Sequence, residues 1–201
     1  MLTIFMGSMM AFVEKVLKKR LAYSSISQLS YILLGLATLS DEGLRGGLLH
    51  VLQHSASKGC LFLVAGALIY KLGKRDVREL KGIGSQMPVT MGCFLIASLS
   101  LVGIPPLGGF LSKWMIASAA IRSGSGLMAI LPPAVLLVSA LLTAGYLLPI
   151  AIDAFFPGEG FDASGMEKCE PARTMTIPMI CLCLVTLIAG MFGSSIVEVL
   201  F

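Results

Sequence analysis

The stretch Thr90–Ile121 reads TMGCFLIASLSLVGIPPLGGFLSKWMIASAAI, and Lys113 is the single charged side chain in it. About 20 apolar residues suffice to cross a bilayer as a helix, so this stretch is long enough to be tilted or broken. Its middle, Gly103-Ile-Pro-Pro-Leu-Gly-Gly109, interrupts the helix. The prolines remove backbone donors and clash with the preceding turn, and the glycines relax the chain. The sequence therefore predicts a broken membrane helix with a lysine one turn after the break.

The composition of the whole chain points to the same class of protein. The 201 residues are 56% hydrophobic and 13% charged, and the mean hydropathy is +0.91. A soluble domain carries about 25% charged residues, so this chain has too little polar surface to cover a soluble core. The same numbers exclude a disordered, collagen-like, coiled-coil or disulfide-rich protein.

The apolar segments predict an all-α, polytopic transmembrane helix bundle with about six membrane segments in a single domain over residues 1–201. The predicted spans are 22–39, 46–70, 90–121, 127–155 and 174–201, with loops at 71–82 and 156–173. The opening segment, residues 1–13, is too short to span comfortably. We interpret it as the C-terminal part of a helix whose beginning is missing or lies in another chain.

Positive charge is concentrated in two loops, Glu14–Arg20 and Lys71–Lys81, whereas the loops predicted on the other side offer Arg45 and Arg122. The positive-inside rule places the two basic loops in the cytoplasm and the C-terminus outside, in a multi-pass protein of the cell (plasma or inner) membrane. The 156–173 loop then lies inside as well, although it carries Glu159, Asp162, Glu167 and Glu170. Acidic residues count little in this rule.

Ionisable groups inside membrane spans are functional candidates because they are expensive there. His50, His54 and Lys58 are spaced i, i+4, i+8, which stacks them on one helix face over about 12 Å. Such a line of titratable groups suits proton relay, and burial disfavours the charged form of lysine, so Lys58 and Lys113 can exchange protons. The alternatives are that the histidines form interhelical hydrogen bonds, that the lysines snorkel, and that the break is a passive proline kink.

Other polar side chains are candidates for a secondary lining. They are Tyr23, Ser24, Ser25, Ser27, Gln28 and Ser112. These side chains either carry waters or join helices by hydrogen bonds.

No catalytic residue, metal site or cofactor site is predicted. The sequence lacks iron–sulfur cysteine spacing, a dinucleotide fingerprint and a nucleotide-binding loop. The five cysteines are odd in number and mostly lie in apolar runs, so we interpret them as free thiols. The basic loops are explained by membrane topology, so no nucleic-acid partner is predicted.

Three ordered motifs carry a family resemblance. They are KRLAYSSISQ (19–28), HVLQHSASKGCLFL (50–63) and GIPPLGGFLSKW (103–114). Together they resemble the antiporter-like membrane subunits shared by respiratory complex I, membrane-bound hydrogenases and multisubunit Mrp-type Na+/H+ antiporters. The third motif looks closest to the Mrp and hydrogenase-type branch of that family. Met175-Thr-Ile-Pro-Met179 also looks like the family's last helix.

The resemblance implies a 14-helix subunit with two inverted five-helix repeats, each holding a broken helix and a buried lysine. Lys113 would be the broken-helix lysine of the second repeat, fed by the polar axis of His50, His54 and Lys58. The match begins at the family's ninth helix, so the first repeat is expected in another chain, or the sequence is a fragment or split-gene product.

The implied function is translocation of protons, with Na+ as a further candidate ion, together with other membrane subunits of a multisubunit complex. Two alternatives stay open. One is an ion-pumping subunit of a redox-driven NADH:quinone oxidoreductase or hydrogenase, whose catalytic chemistry would belong to partner subunits. The other is a non-conducting structural fragment.

Overall fold

The computed structural model describes residues 1–158 and 167–200, so Glu159, Asp162 and Phe201 of the predicted loop and last span lie outside the described residues. The predicted all-α class is confirmed. The helices are α1 (Leu2–Val13), α2 (Leu17–Ala37), α3 (Asp41–Leu72), α4 (Pro88–Val102), α5 (Gly108–Ser123), α6 (Leu127–Phe155), α7 (Arg173–Met191) and α8 (Gly193–Leu200). Two short 3₁₀ turns, Val77–Leu80 and Ile83–Ser85, precede α4.

Three helices in the described ranges are long and apolar enough to cross a membrane, namely α3, α6 and α7. Helix α2 is 21 residues long, but its first turn carries Lys18, Lys19 and Arg20. Helices α1 and α4 are apolar but short. The structure therefore supports a multi-pass helical protein without establishing all six predicted segments.

Helix α3 is the central element, because it packs against α2, α4, α5 and α7. Its ends are set by the local sequence. The Ser40 side chain accepts a hydrogen bond from the Gly43 N–H at its start, which satisfies one of the free amides of the first turn. Gly73, with a φ of 69°, ends it in the left-handed conformation that glycine adopts without strain.

The Gly/Pro break separates α4 from α5 as predicted. Helix α4 ends at Val102, and Gly103 leaves it with a φ of 94°. Helix α5 then begins at Gly108. A Cβ at Gly109 would overlap the Ser100 carbonyl oxygen, and one at Gly190 of α7 would overlap the Pro106 carbonyl oxygen. These glycines therefore let the backbone of the break pack directly against its neighbours.

Candidate functional site

The three predicted relay residues of α3 are all buried. The exposed fraction is 0% for His50, 8% for His54 and 5% for Lys58. The two imidazole rings are stacked, with centroids 6.2 Å apart. The Lys58 ammonium group donates a hydrogen bond of 2.8 Å to the Leu21 carbonyl oxygen of α2. Helical spacing thus places these side chains on one face of α3, and that face points into the bundle.

Lys113 is bound by the end of the broken helix. Its Nζ donates hydrogen bonds to the carbonyl oxygens of Leu101, at 2.5 Å, and Val102, at 3.1 Å. In a continuous helix those carbonyls would accept from the amides four residues later. The residues at those positions are Pro105 and Pro106, which have no N–H to give. The two prolines therefore leave two acceptors open, and the lysine fills both.

Ser112 connects Lys113's helix to the α3 face. His50 Nδ1 and Ser112 Oγ are 2.9 Å apart, and the direction of the hydrogen bond depends on the histidine tautomer. Because Ser112 directly precedes Lys113 in α5, this contact joins the relay helix to the broken one. Among the described residues, His50 Nε2 and His54 Nδ1 are buried without a hydrogen-bond partner.

Tyr31 of α2, which the sequence interpretation did not single out, lies between these groups. Its ring is fully buried. Its centroid is 5.2 Å from Lys113 Nζ and 5.4 Å from the His50 ring centroid. A cation within about 6 Å of an aromatic centroid is attracted by the ring's electrons. The helical spacing of Ser24, Ser27 and Tyr31 on one face of α2 is the signal that could have revealed it.

The hydroxyl-rich start of α2 divides into two groups. Ser24, Ser27 and Gln28 are buried, whereas Tyr23 and Ser25 are half-buried. Ser25 donates to the Leu21 carbonyl of its own helix. The two side-chain polar atoms of Gln28 have no partner in the part of the chain that the structure describes.

Hydroxyl groups from three helices meet beside Tyr31. Ser8 of α1 lies 2.8 Å from Ser27 and 2.6 Å from Ser139 of α6, oxygen to oxygen. The Tyr31 hydroxyl donates to the same Ser139 oxygen. One turn away, Tyr146 donates to Ser24 at 2.7 Å. Ser8, Ser139 and Tyr146 were missed because isolated hydroxyls in apolar runs show no local pattern.

Gln53 is a further polar residue of α3 that sequence interpretation missed. Its Nε2 donates to Ser57 in the next turn and to Ser100 of α4, each at 3.0 Å. Gln53 thus ties the relay helix to the last turns of α4. Its position directly before His54 in a membrane span was the available signal.

The electrostatic setting of the lysines is unusual because carboxylates are absent from it. The ion pair found in the described residues, Arg122 with Glu42 at 3.1 Å, lies on the surface. Within residues 1–158 and 167–200 no cluster of His, Cys, Asp and Glu could hold a metal ion. Lys58 and Lys113 are therefore held by neutral acceptors alone. Each ammonium is solvated without being fixed by an opposite charge.

Comparison with known proteins identifies the family. The model of the NADH:quinone oxidoreductase/Mrp antiporter transmembrane family matches residues 1–143. NADH-quinone oxidoreductase subunit N of Desulforudis audaxviator (strain MP104C) is 38% identical over 97% of this chain and 40% of its own length. NADH-quinone oxidoreductase subunit L of Rickettsia conorii (strain ATCC VR-613 / Malish 7) is 35% identical over 95% of this chain and 28% of its own.

A solved structure gives the same answer at the level of the fold. One chain of the Mrp complex from Dietzia sp. DQ12-45-1b superposes with a TM-score of 0.83 at 26% identity, over 98% of this chain and 43% of that one. The chain thus spans less than half the length of these relatives. Motifs, helix packing and the family match agree: this chain belongs to the NADH:quinone oxidoreductase/Mrp antiporter transmembrane family.

Proposed function

We propose that this chain translocates protons across the membrane as part of an antiporter-like subunit. Lys113 exchanges a proton with the outer side, and Lys58, His54 and His50 pass protons along the central plane of the membrane. The observation that carries the proposal is the binding of Lys113 by the two carbonyls that Pro105 and Pro106 leave open.

That arrangement fits a lysine that gains and loses its proton. An ammonium group at membrane depth costs about 2.5–3.5 kcal/mol on translocon scales. Two carbonyl dipoles and the Tyr31 ring offset part of this cost when Lys113 is charged. A carboxylate would stabilise the charged form far more strongly and hold the proton in place. Neutral acceptors keep the two protonation states close in free energy, which is what reversible transfer requires.

The contacts also provide the start of a route. From Lys113, Ser112 leads to His50 through the 2.9 Å contact. The stacked rings lead on to His54, and Lys58 follows one helical turn later. The ring spacing is longer than a direct hydrogen bond, so a bridging water is required between the histidines. Their unpartnered nitrogens are groups that ordered water satisfies in buried sites.

The complex in which the chain works is a second part of the proposal. The partners are other membrane subunits of a multisubunit antiporter or respiratory complex, and the transported ion is H+, with Na+ as the alternative counter-ion. The two curated relatives described above are named as NADH-quinone oxidoreductase subunits, which supports a redox-driven complex as the second candidate. The relay would serve either complex, since the site holds the same titratable groups in both cases.

Replacing Lys113 with methionine tests the proposal, because methionine keeps the length of the side chain and removes the amine. Inside-out membrane vesicles carrying the assembled complex are energised, and proton uptake is followed with a pH-sensitive dye. We expect Lys113→Met to abolish uptake while the amount of assembled protein stays unchanged. Lys74→Met, in a loop outside the spans, is the matched control and should transport normally. Normal uptake by Lys113→Met would instead favour the non-conducting structural fragment.

A further inference from the structure

Two basic segments that are distant in sequence form one surface. Val16 and Asp76 form an antiparallel bridge. The Leu17 N–H donates to the Arg75 carbonyl and the Val77 N–H to the Lys15 carbonyl, each at 3.0 Å. These bonds hold the start of α2 beside the end of α3. We name the resulting surface the basic platform: Lys15, Lys18, Lys19, Lys71, Lys74, Arg75, Arg78 and Lys81.

The acidic side chains within the platform are used by the backbone. Glu14 accepts hydrogen bonds from the amides of Lys15 and Val16, each at 3.0 Å. Asp76 accepts from the Arg78 amide at 2.9 Å. Glu79 accepts from the amides of Arg75 and Asp76. These carboxylates fold the two loops, and within the described residues no platform side chain forms an ion pair.

The platform cations lie where apolar helices meet water. Lys18 and Lys19 belong to the first turn of α2, and Lys71 lies in the last turn of α3. All platform side chains are exposed except Lys74, which is half-buried. Basic residues directly beside the ends of membrane helices reach the depth of lipid phosphates, where each contributes about fivefold to binding at an anionic surface.

We propose that the basic platform binds the phosphodiester headgroups of anionic phospholipids and anchors the adjoining ends of α2 and α3 to that leaflet. Its composition favours lipid over an acidic protein face. Six of its eight side chains are lysines, and lysine is depleted in the cores of protein interfaces whereas arginine is enriched. A flexible point charge suits mobile headgroup phosphates better than a fixed carboxylate pattern.

The experiment is native mass spectrometry of the full chain, purified in neutral detergent with its co-purifying subunits. The probes are phosphatidylglycerol and phosphatidylcholine of the same acyl composition. We expect the wild-type protein to retain phosphatidylglycerol preferentially, even when millimolar inorganic phosphate is added. The triple variant Lys18→Gln, Lys71→Gln, Lys74→Gln should bind phosphatidylglycerol about a hundredfold more weakly, from about fivefold for each lost charge.

Two further variants separate charge from fold. The triple replacement of the same lysines by arginine keeps the charge and should keep the lipid, and Arg45→Gln, outside the platform, should have no effect. Equal retention of the two lipids by the wild-type protein would overturn the proposal, as would unchanged binding by the glutamine variant. Loss of a co-purifying subunit with lipid retention intact would also overturn it and assign the platform to an acidic protein partner.

Discussion

The Tyr31 ring should matter for transport more than the Tyr31 hydroxyl. Lys113 Nζ lies 5.2 Å from the ring centroid, and both groups are buried. A desolvated cation–π contact contributes about 2 kcal/mol, which corresponds to roughly 30-fold in an equilibrium constant. If Lys113 takes up a proton in every cycle, Tyr31→Leu makes the protonated form that much rarer. We therefore expect the rate of proton uptake to fall about 30-fold.

Tyr31→Phe provides the internal comparison because it keeps the ring and removes the hydroxyl. The lost hydrogen bond to Ser139 should lower the free energy of unfolding by about 1 kcal/mol. Proton uptake should stay within about twofold of the wild type, since the cation–π contact survives. The phenylalanine variant thus separates an effect on stability from an effect on transport.

The assay is initial proton uptake by inside-out vesicles, normalised to the amount of assembled protein. Tyr146→Leu is the matched control, because Tyr146 is equally buried in the same bundle and its hydroxyl contacts Ser24. Equal losses in Tyr31→Leu and Tyr146→Leu would refute the reasoning by showing a general packing effect. A phenylalanine variant as slow as the leucine variant would assign the role to the hydroxyl instead.

Three further predictions concern packing, relay and topology. Gly109→Ala should destabilise the protein by about 1–3 kcal/mol in thermal unfolding, because its Cβ meets the Ser100 carbonyl, whereas Gly92→Ala, with open space around it, should be neutral or stabilising. His54→Ala and Lys58→Ala should each slow proton uptake with assembly intact, and normal pumping by both would make the α3 face structural. A cysteine placed at Lys74 should be labelled by an impermeant maleimide only from the cytoplasm, and one at Asp41 only from outside; the reverse pattern would invert the topology.

Helical periodicity made the α3 face predictable from the sequence. His50, His54 and Lys58 recur every four residues, so any helix through them places them on one face. The Gly/Pro break was equally readable, because proline and glycine act on the local backbone. The positions of the two open carbonyls also follow from the prolines, four residues before each. That Lys113 fills them depends on how α5 folds back on α4, which no local pattern encodes.

The partners of the lysines depend on tertiary packing and could not be predicted. Tyr31 meets Lys113 across the bundle, and Ser139 meets Tyr31 across a separation of 108 positions. The bridge between Val16 and Asp76 joins two short loops, and short loops have no periodicity from which pairing can be inferred. The sequence therefore revealed which titratable groups lie inside the membrane, and packing decided which neutral groups surround them.

The central claim is that Lys113 works by releasing and regaining its proton. Lys113→Arg tests it most directly, because arginine keeps the positive charge and holds its proton at any physiological pH. Proton uptake is measured in inside-out vesicles that contain equal amounts of assembled wild-type and variant protein. The account predicts that the arginine variant fails nearly as completely as Lys113→Met. Full activity of Lys113→Arg would show that the site needs only a fixed positive charge, and it would contradict the proton-exchange mechanism.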